Sequence, residues 1–140
     1  MEGSYPVLRA LTSAARASLQ HEEILLREFP FRVGRESRFG VVHGKLRSME
    51  RRRRKVPPNN DVYLIDREEL LNISREHFQI ERTNDVSYEI VDRGSTCGTI
   101  VDGTRIGNEA ASMRCPLTSG ARIIVGLPDS PYVFEFRCDA

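Results

Sequence analysis

The sequence lacks the features that mark secreted, membrane-spanning or metal-binding proteins. It has only three cysteines, Cys97, Cys115 and Cys138, and no pair of them has the C-x-x-C spacing of a metal site. An odd number of irregularly spaced cysteines is typical of a reduced, intracellular setting. No apolar run approaches the roughly 20 residues of a transmembrane helix, and the N-terminal residues lack the apolar stretch of a signal peptide. These absences predict a cytoplasmic protein, or a nuclear one in an organism with a nucleus, without membrane anchor, metal or cofactor.

Internal repeats are also absent, and what remains is a series of short strand-like runs separated by Gly, Asn, Asp and Pro. Many short strands with such turns predict an all-β sandwich, and 39% hydrophobic residues suffice for one core of that size. Asp102-Gly103 predicts a hairpin turn, while the alanine-containing stretch 11–20 suits either a turn of helix or a surface loop. The predicted strands are 7–11, 24–29, 31–35, 62–66, 77–81, 88–92, 99–101, 122–125 and 132–136.

Residues 40–60 show neither a strand period nor a helix period. Seven basic residues and one acidic residue fall in the eleven positions 45–55, although the net charge of the whole chain is only +1. We interpret 40–60 as a basic, flexible insertion. The run suits a solvated charge cluster, an arm that attracts acidic phosphopeptides, or a site for nucleic-acid or membrane-surface phosphates. It lacks the interleaved aromatics with which single-strand binders stack on bases.

Three short motifs each follow a strand-like run: Gly34-Arg35-Glu36, Ser74-Arg75-Glu76-His77, and Asp92-Arg93-Gly94-Ser95-Thr96-Cys97-Gly98-Thr99. Together they offer guanidinium forks, small hydroxyls and glycines that permit tight turns, which suits them to bind an anion such as phosphate. Ser74 and His77 also have the spacing of a nucleophile and its base. We do not interpret them as catalytic, because no carboxylate orienter or oxyanion hole accompanies them.

In this order and spacing the motifs resemble the forkhead-associated (FHA) domain, a family that binds phosphothreonine peptides. The resemblance spans about 7–137 and implies one domain over 1–140, a β-sandwich of two antiparallel sheets with the site on loops at one end. It implies a non-catalytic protein whose partners carry phosphothreonine placed by an upstream Ser/Thr kinase. The long basic insertion after Arg35 departs from the family pattern.

The resemblance also assigns roles to individual residues. Arg35 would grip the phosphate, the Ser74 hydroxyl would donate to it, and Thr96 would approach it. Arg75 would contact the phosphate or the peptide backbone, or remain solvated. A structural role falls to Gly34, His77, Asp92, Ser95, Gly98, Thr99 and Gly103.

Cys97 is the main departure within the motifs, since relatives usually carry Asn there to hydrogen-bond the peptide main chain. A thiol is a weak donor and acceptor, so the substitution weakens one contact to the peptide. Three functions therefore stay open: a phosphothreonine reader, an FHA scaffold that has lost peptide binding, and a nucleic-acid or polyanion binder that uses the basic run.

Overall fold

A computed structural model describes residues 5–36, 39–42, 45–48, 59–68 and 70–138. In these residues the chain forms one short helix, α1 (Ser13–Leu19), and strands that account for nearly all other regular structure. The all-β class predicted from the sequence is confirmed. The strands are β1 (Val7–Ala10), β2 (Glu23–Leu25), β3 (Phe31–Arg35), β4 (Phe39–Val42), β5 (Lys45–Ser48), β6 (Val62–Leu64), β7 (Phe78–Arg82), β8 (Tyr88–Asp92), β9 (Thr99–Val101), β10 (Thr104–Ile106), β11 (Arg114–Leu117), β12 (Ala121–Val125) and β13 (Val133–Arg137).

Eleven of these strands build two sheets. One has the order β10-β9-β12-β13-β1-β2, and the other has the order β11-β8-β7-β3-β6. Neighbouring strands are antiparallel except β3 and β6, which pair in parallel. The antiparallel sandwich of the prediction is therefore present with one parallel edge strand.

The core lies between the sheets and follows from alternation along the strands. In β7, Phe78 and Ile80 are fully buried, whereas Gln79 is half-buried. Phe134 and Phe136 alternate in the same way along β13. Because successive side chains of a strand point to opposite faces, each strand gives one row of residues to the core. Burying a side chain of this size stabilises the fold by about 1.5–3 kcal/mol.

Within the stretch 11–20, where the sequence had left a helix and a loop open, Ser13–Leu19 forms a helix. The Thr12 side chain caps α1 by accepting a bond from the Ala15 amide at 3.0 Å. Gln20 ends the helix in the left-handed conformation, with φ 66°. Ala15 and Leu19 are buried, so this short helix is held by packing on the core.

Part of the insertion is more regular than its sequence indicated. Phe39–Val42 and Lys45–Ser48 pair as a two-stranded antiparallel hairpin, so the prediction that 40–60 contains no strand is wrong for this part. The prediction also missed β11 as a strand. Residues 49–58, with most of the basic run, lie outside the described part of the chain, and their flexibility stays a prediction.

One end of the sandwich gathers the three motifs. β3 and β8 finish there, while β7 and β9 begin there; Val125 at the end of β12 pairs with Thr99. The opposite end carries the turn between β9 and β10. There Asp102 and Gly103 have φ 48° and 84°, which confirms the predicted hairpin turn. No helix within the described residues is long and apolar enough to cross a membrane.

Candidate functional site

The three motifs are joined directly by main-chain hydrogen bonds. The Arg35 amide donates to the Ser74 carbonyl at 2.9 Å, and the Arg93 amide donates to the His77 carbonyl at 2.8 Å. The Thr96 amide donates to Ser74 Oγ at 2.9 Å. Residues far apart in the chain are thus fixed as one cluster at the sandwich end.

Arg35 is held in place by the loop that precedes Ser74. Its side chain follows the inward face of β3, and only 5% of the residue is exposed. Nε donates to the Ile73 carbonyl at 2.9 Å, and one terminal nitrogen donates to the Glu36 carbonyl at 3.0 Å. These bonds orient the planar guanidinium beside Ser74, at a depth where charge-assisted bonds are less screened than at the surface.

Gly34 is required by close backbone approach. A Cβ at this position would collide with the Arg75 carbonyl oxygen and would lie 2.6 Å from both side-chain atoms of the Asn60 amide. Gly34 therefore lets the loop around Arg75 lie directly on β3.

Asn60, which the sequence analysis missed, links the motifs through its side chain. Its Nδ2 donates to the Arg75 carbonyl at 2.6 Å, and its Oδ1 accepts from Arg93 at 2.8 Å. Arg93 also forms an ion pair with Glu76 at 3.5 Å. The sequence gives one weak indication of this role. Asn59 and Asn60 end the insertion, and asparagines are common in turns.

Asp92 organises the loop that carries Thr96. One carboxylate oxygen accepts from the amides of Gly94 and Ser95, at 2.9 and 2.8 Å. The other accepts from Ser95 Oγ and Thr99 Oγ1, at 2.6 and 2.9 Å. Asp92 is 2% exposed, and a buried carboxylate with this many donors fixes the loop firmly.

His77 connects the two sheets at the site. Its Nδ1 accepts from the Ser74 amide at 2.9 Å, and its Nε2 lies 2.8 Å from the Gly98 carbonyl. A carbonyl only accepts, so Nε2 carries the proton and the ring is neutral. Burial lowers the pKa of His77, while the bond to Gly98 and the carboxylates Asp92 and Asp66 offset part of that effect.

We expect His77 to make the fold less stable in mild acid. The unfolded ring titrates near 6.5, whereas the folded ring resists protonation because the proton would displace the Ser74 amide. Below 6.5 the unfolded state binds a proton that the folded state lacks, so the free energy of unfolding falls as pH falls. The slope approaches about 1.4 kcal/mol per pH unit until the lowered folded pKa is reached.

Urea unfolding between pH 8 and pH 5 measures this contribution. A His77→Gln protein should lose the His77 share of the slope, whereas His21→Gln, at an exposed position, should keep it. Equal slopes in wild type and His77→Gln would show that the ring is not held neutral.

Asp66 is a second buried carboxylate that the sequence analysis missed. It accepts from the amides of Asn72 and Ile73 at 2.7 and 3.0 Å, and from the Tyr132 hydroxyl at 3.0 Å. Burial raises the pKa of Tyr132 to about 12, so its hydroxyl remains a donor. Asp66 thereby shapes the loop whose Ile73 carbonyl holds Arg35.

Cys97 lies half-buried on the other side of Thr96. Its thiol makes a weak bond to the Leu71 carbonyl at 3.6 Å, and burial raises its pKa although nearby Arg105 opposes the shift. Arg105 donates to the Cys97 carbonyl at 3.3 Å. Gly98 has φ 83°, which supports the turn predicted there.

The structure brings most of the predicted residues together. The joined loops contain Arg35, Ser74, Arg75, Thr96 and Cys97; of these five, Thr96 is exposed and the other four are partly or fully buried. Gly103 lies apart, in the hairpin at the opposite end. No group of His, Cys, Asp or Glu able to hold a metal ion occurs in the described ranges.

Fold and site together define a β-sandwich module that presents polar, arginine-containing loops at one end. The family model of the FHA domain matches residues 31–126, which is more than half of the chain. The chain belongs to the FHA domain family. The match indicates a phosphoprotein-interaction module and no catalytic family. No curated protein sequence matches the chain.

Solved structures of FHA domains share the fold. The FHA domain of the CT664 protein from Chlamydia trachomatis is 22% identical with a TM-score of 0.60, covering 98% of this chain and 100% of that one. EmbR of Mycobacterium tuberculosis, solved with a low-affinity phosphopeptide, is 22% identical with a TM-score of 0.58; the match covers 98% of this chain and 25% of EmbR. The kinase-interacting FHA domain of KAPP from Arabidopsis is 19% identical with a TM-score of 0.56, covering 96% and 93%.

Proposed function

We propose that this chain binds phosphothreonine-containing peptides at the joined loops, without catalysing a reaction on them. The observation that carries the proposal is the contact of Arg35 with Ile73 and of Thr96 with Ser74. These contacts support the proposal because they join the loops that carry a guanidinium, a hydroxyl and the exposed Thr96. Recognition of phosphorylated segments by arginine is an established binding mode.

Each group has a defined role in the proposed binding of the phosphopeptide. Arg35 supplies charge-assisted bonds to phosphate oxygens. Ser74 Oγ accepts from the Thr96 amide, and a hydroxyl in that position still has its own proton to donate. The same joined loops contain Thr96, Arg75 and Cys97, and we assign to these residues the contacts with the peptide around the phosphothreonine. The partner is then a protein modified by an upstream Ser/Thr kinase.

Family relationship supports the same proposal. EmbR, which shares the fold, was solved with a phosphopeptide, and the KAPP domain is named for its interaction with a kinase. The nucleic-acid alternative rests on the basic run, most of which lies outside the described residues, and no contact among the described residues favours it.

Calorimetric titration with three peptides of one sequence tests the proposal. The peptides carry phosphothreonine, threonine or phosphoserine at the central position, and a duplex DNA serves as a fourth ligand. We expect binding of the phosphothreonine peptide, at least tenfold weaker binding of the unphosphorylated one, and intermediate binding of phosphoserine. Equal affinity for the first two peptides would contradict the proposal. DNA binding without peptide binding would favour the polyanion alternative.

A further inference from the structure

Arg105 places a positive charge beside the proposed phosphate site. It lies in β10, the edge strand of its sheet, opposite Ile100. Its guanidinium donates to the Cys97 carbonyl at 3.3 Å. A Cβ at Gly98 would lie 3.2 Å from Arg105 Nε, so the guanidinium lies directly over this loop.

The charge of Arg105 is not neutralised within the described part of the chain. Several other surface arginines form ion pairs with glutamates, as Arg114 does with Glu89 at 2.8 Å, whereas Arg105 forms none among the described residues. The two buried carboxylates near the site, Asp66 and Asp92, accept bonds from amides and hydroxyls of their own loops. Arg105 is exposed, and its guanidinium has more donors than its one bond to Cys97 uses.

The loop of Thr96, Cys97 and Gly98 separates Arg105 from Ser74, since the Thr96 amide bonds Ser74 while the Cys97 carbonyl bonds Arg105. Consider a peptide whose phosphothreonine is bound at Ser74 and Thr96. An extended chain spans about 3.3–3.6 Å per residue, so a residue only a few positions from the phosphothreonine would lie beside Arg105. An acidic side chain at that point would complement the unpaired guanidinium.

We propose that Arg105 selects phosphothreonine peptides that carry acidic residues within a few positions of the phosphothreonine. This inference rests on the proposed function and narrows its partner class to acidic phosphorylated segments. We assign the preference for acidic residues to the Arg105 side chain alone. The neighbouring Cys97 thiol is a weak hydrogen-bonding group and would contribute little to peptide binding. The preference depends on charge and should weaken as salt is added.

The test compares three phosphothreonine peptides, one with alanines on both flanks, one with two aspartates before the phosphothreonine and one with two aspartates after it. We expect one acidic peptide to bind wild type about three- to fivefold more tightly than the alanine peptide, which is roughly 0.6–1 kcal/mol and within the range of exposed ion pairs. In Arg105→Gln this affinity ratio should fall to about one. Arg105→Glu should reverse it. In 0.5 M salt the wild-type ratio should shrink.

Arg122→Gln is the matched control, because it removes the same charge from an exposed position at the opposite end of the sandwich. It should keep the wild-type ratio. A wild-type ratio of one for both acidic peptides, or a preference that survives in Arg105→Gln, would overturn the inference while leaving phosphopeptide binding intact. If no phosphothreonine peptide binds, the proposed function fails first and this inference falls with it.

Discussion

Replacing Gly107 with alanine is expected to destabilise the fold by about 2–5 kcal/mol, through two separate effects. Gly107 has φ 71°, a left-handed conformation that costs an alanine about 1–2 kcal/mol. A Cβ there would also collide with the Asp92 carboxyl group and would lie 2.5 and 2.6 Å from its oxygens. Overpacking of this kind costs about 1–3 kcal/mol. Asp92 has little room to move, because four donors hold it.

Gly103→Ala separates the two effects. Gly103 has a similar φ of 84°, but nothing lies within 4 Å of a Cβ built there. We expect it to lose only the conformational part, about 1–2 kcal/mol. Urea unfolding of both variants measures the difference, which is the cost of displacing Asp92. Equal losses in the two variants would show that the loop adapts to a side chain at Gly107 and that the Asp92 carboxylate is not fixed.

Replacing Arg35 with alanine is expected to weaken phosphothreonine-peptide binding by at least about tenfold, which is 1.4 kcal/mol. Each charge-assisted hydrogen bond contributes roughly 1.5–3 kcal/mol, and the fork can form two such bonds with a phosphate. Stability should fall as well, because the variant leaves the carbonyls of Ile73 and Glu36 without the bonds that Arg35 makes to them. Calorimetry should therefore be run well below the melting temperature of the variant.

Two further variants separate binding from folding. Arg32→Ala changes an arginine of the same strand on the opposite face, where it is half-buried, and it should keep peptide affinity. Arg35→Lys keeps the charge but loses the planar fork, so it should bind with intermediate affinity. A folded Arg35→Ala protein with wild-type affinity would remove Arg35 from the proposed site.

The strands and motifs were predictable because their signals are local. Alternation such as that of Phe78 and Ile80 identifies a half-buried strand, and Asp102-Gly103 identifies a hairpin turn. β11 was not predicted because it is short, has one buried residue and contains Pro116, a residue that an edge strand tolerates. β4 precedes the basic run 45–55 and β5 forms its first part, and the composition of that run suggested disorder.

The residues that support the site were harder to predict, because their partners are distant in the sequence. Asp66 and Tyr132 are 66 residues apart, and no local pattern connects them. Asn60 could be read from the sequence as a turn residue at the end of the insertion, but its partners Arg75 and Arg93 lie 15 and 33 residues away. The collision that makes Gly107 necessary depends on where β8 and β10 lie relative to each other, which only the folded chain specifies.

The pairing of the first and last strands of the sandwich has a practical consequence. Val7 begins β1 and pairs with Arg137, which ends β13. Val133, at the start of β13, pairs with Ile124, one residue before the Val125 that pairs with Thr99 at the proposed site. Val7 and Arg137 therefore lie side by side at the end of the sandwich away from that site. A tag, a surface linker or a neighbouring domain attached before Val7 or after Arg137 is expected to leave the loops of the proposed site open to large partners.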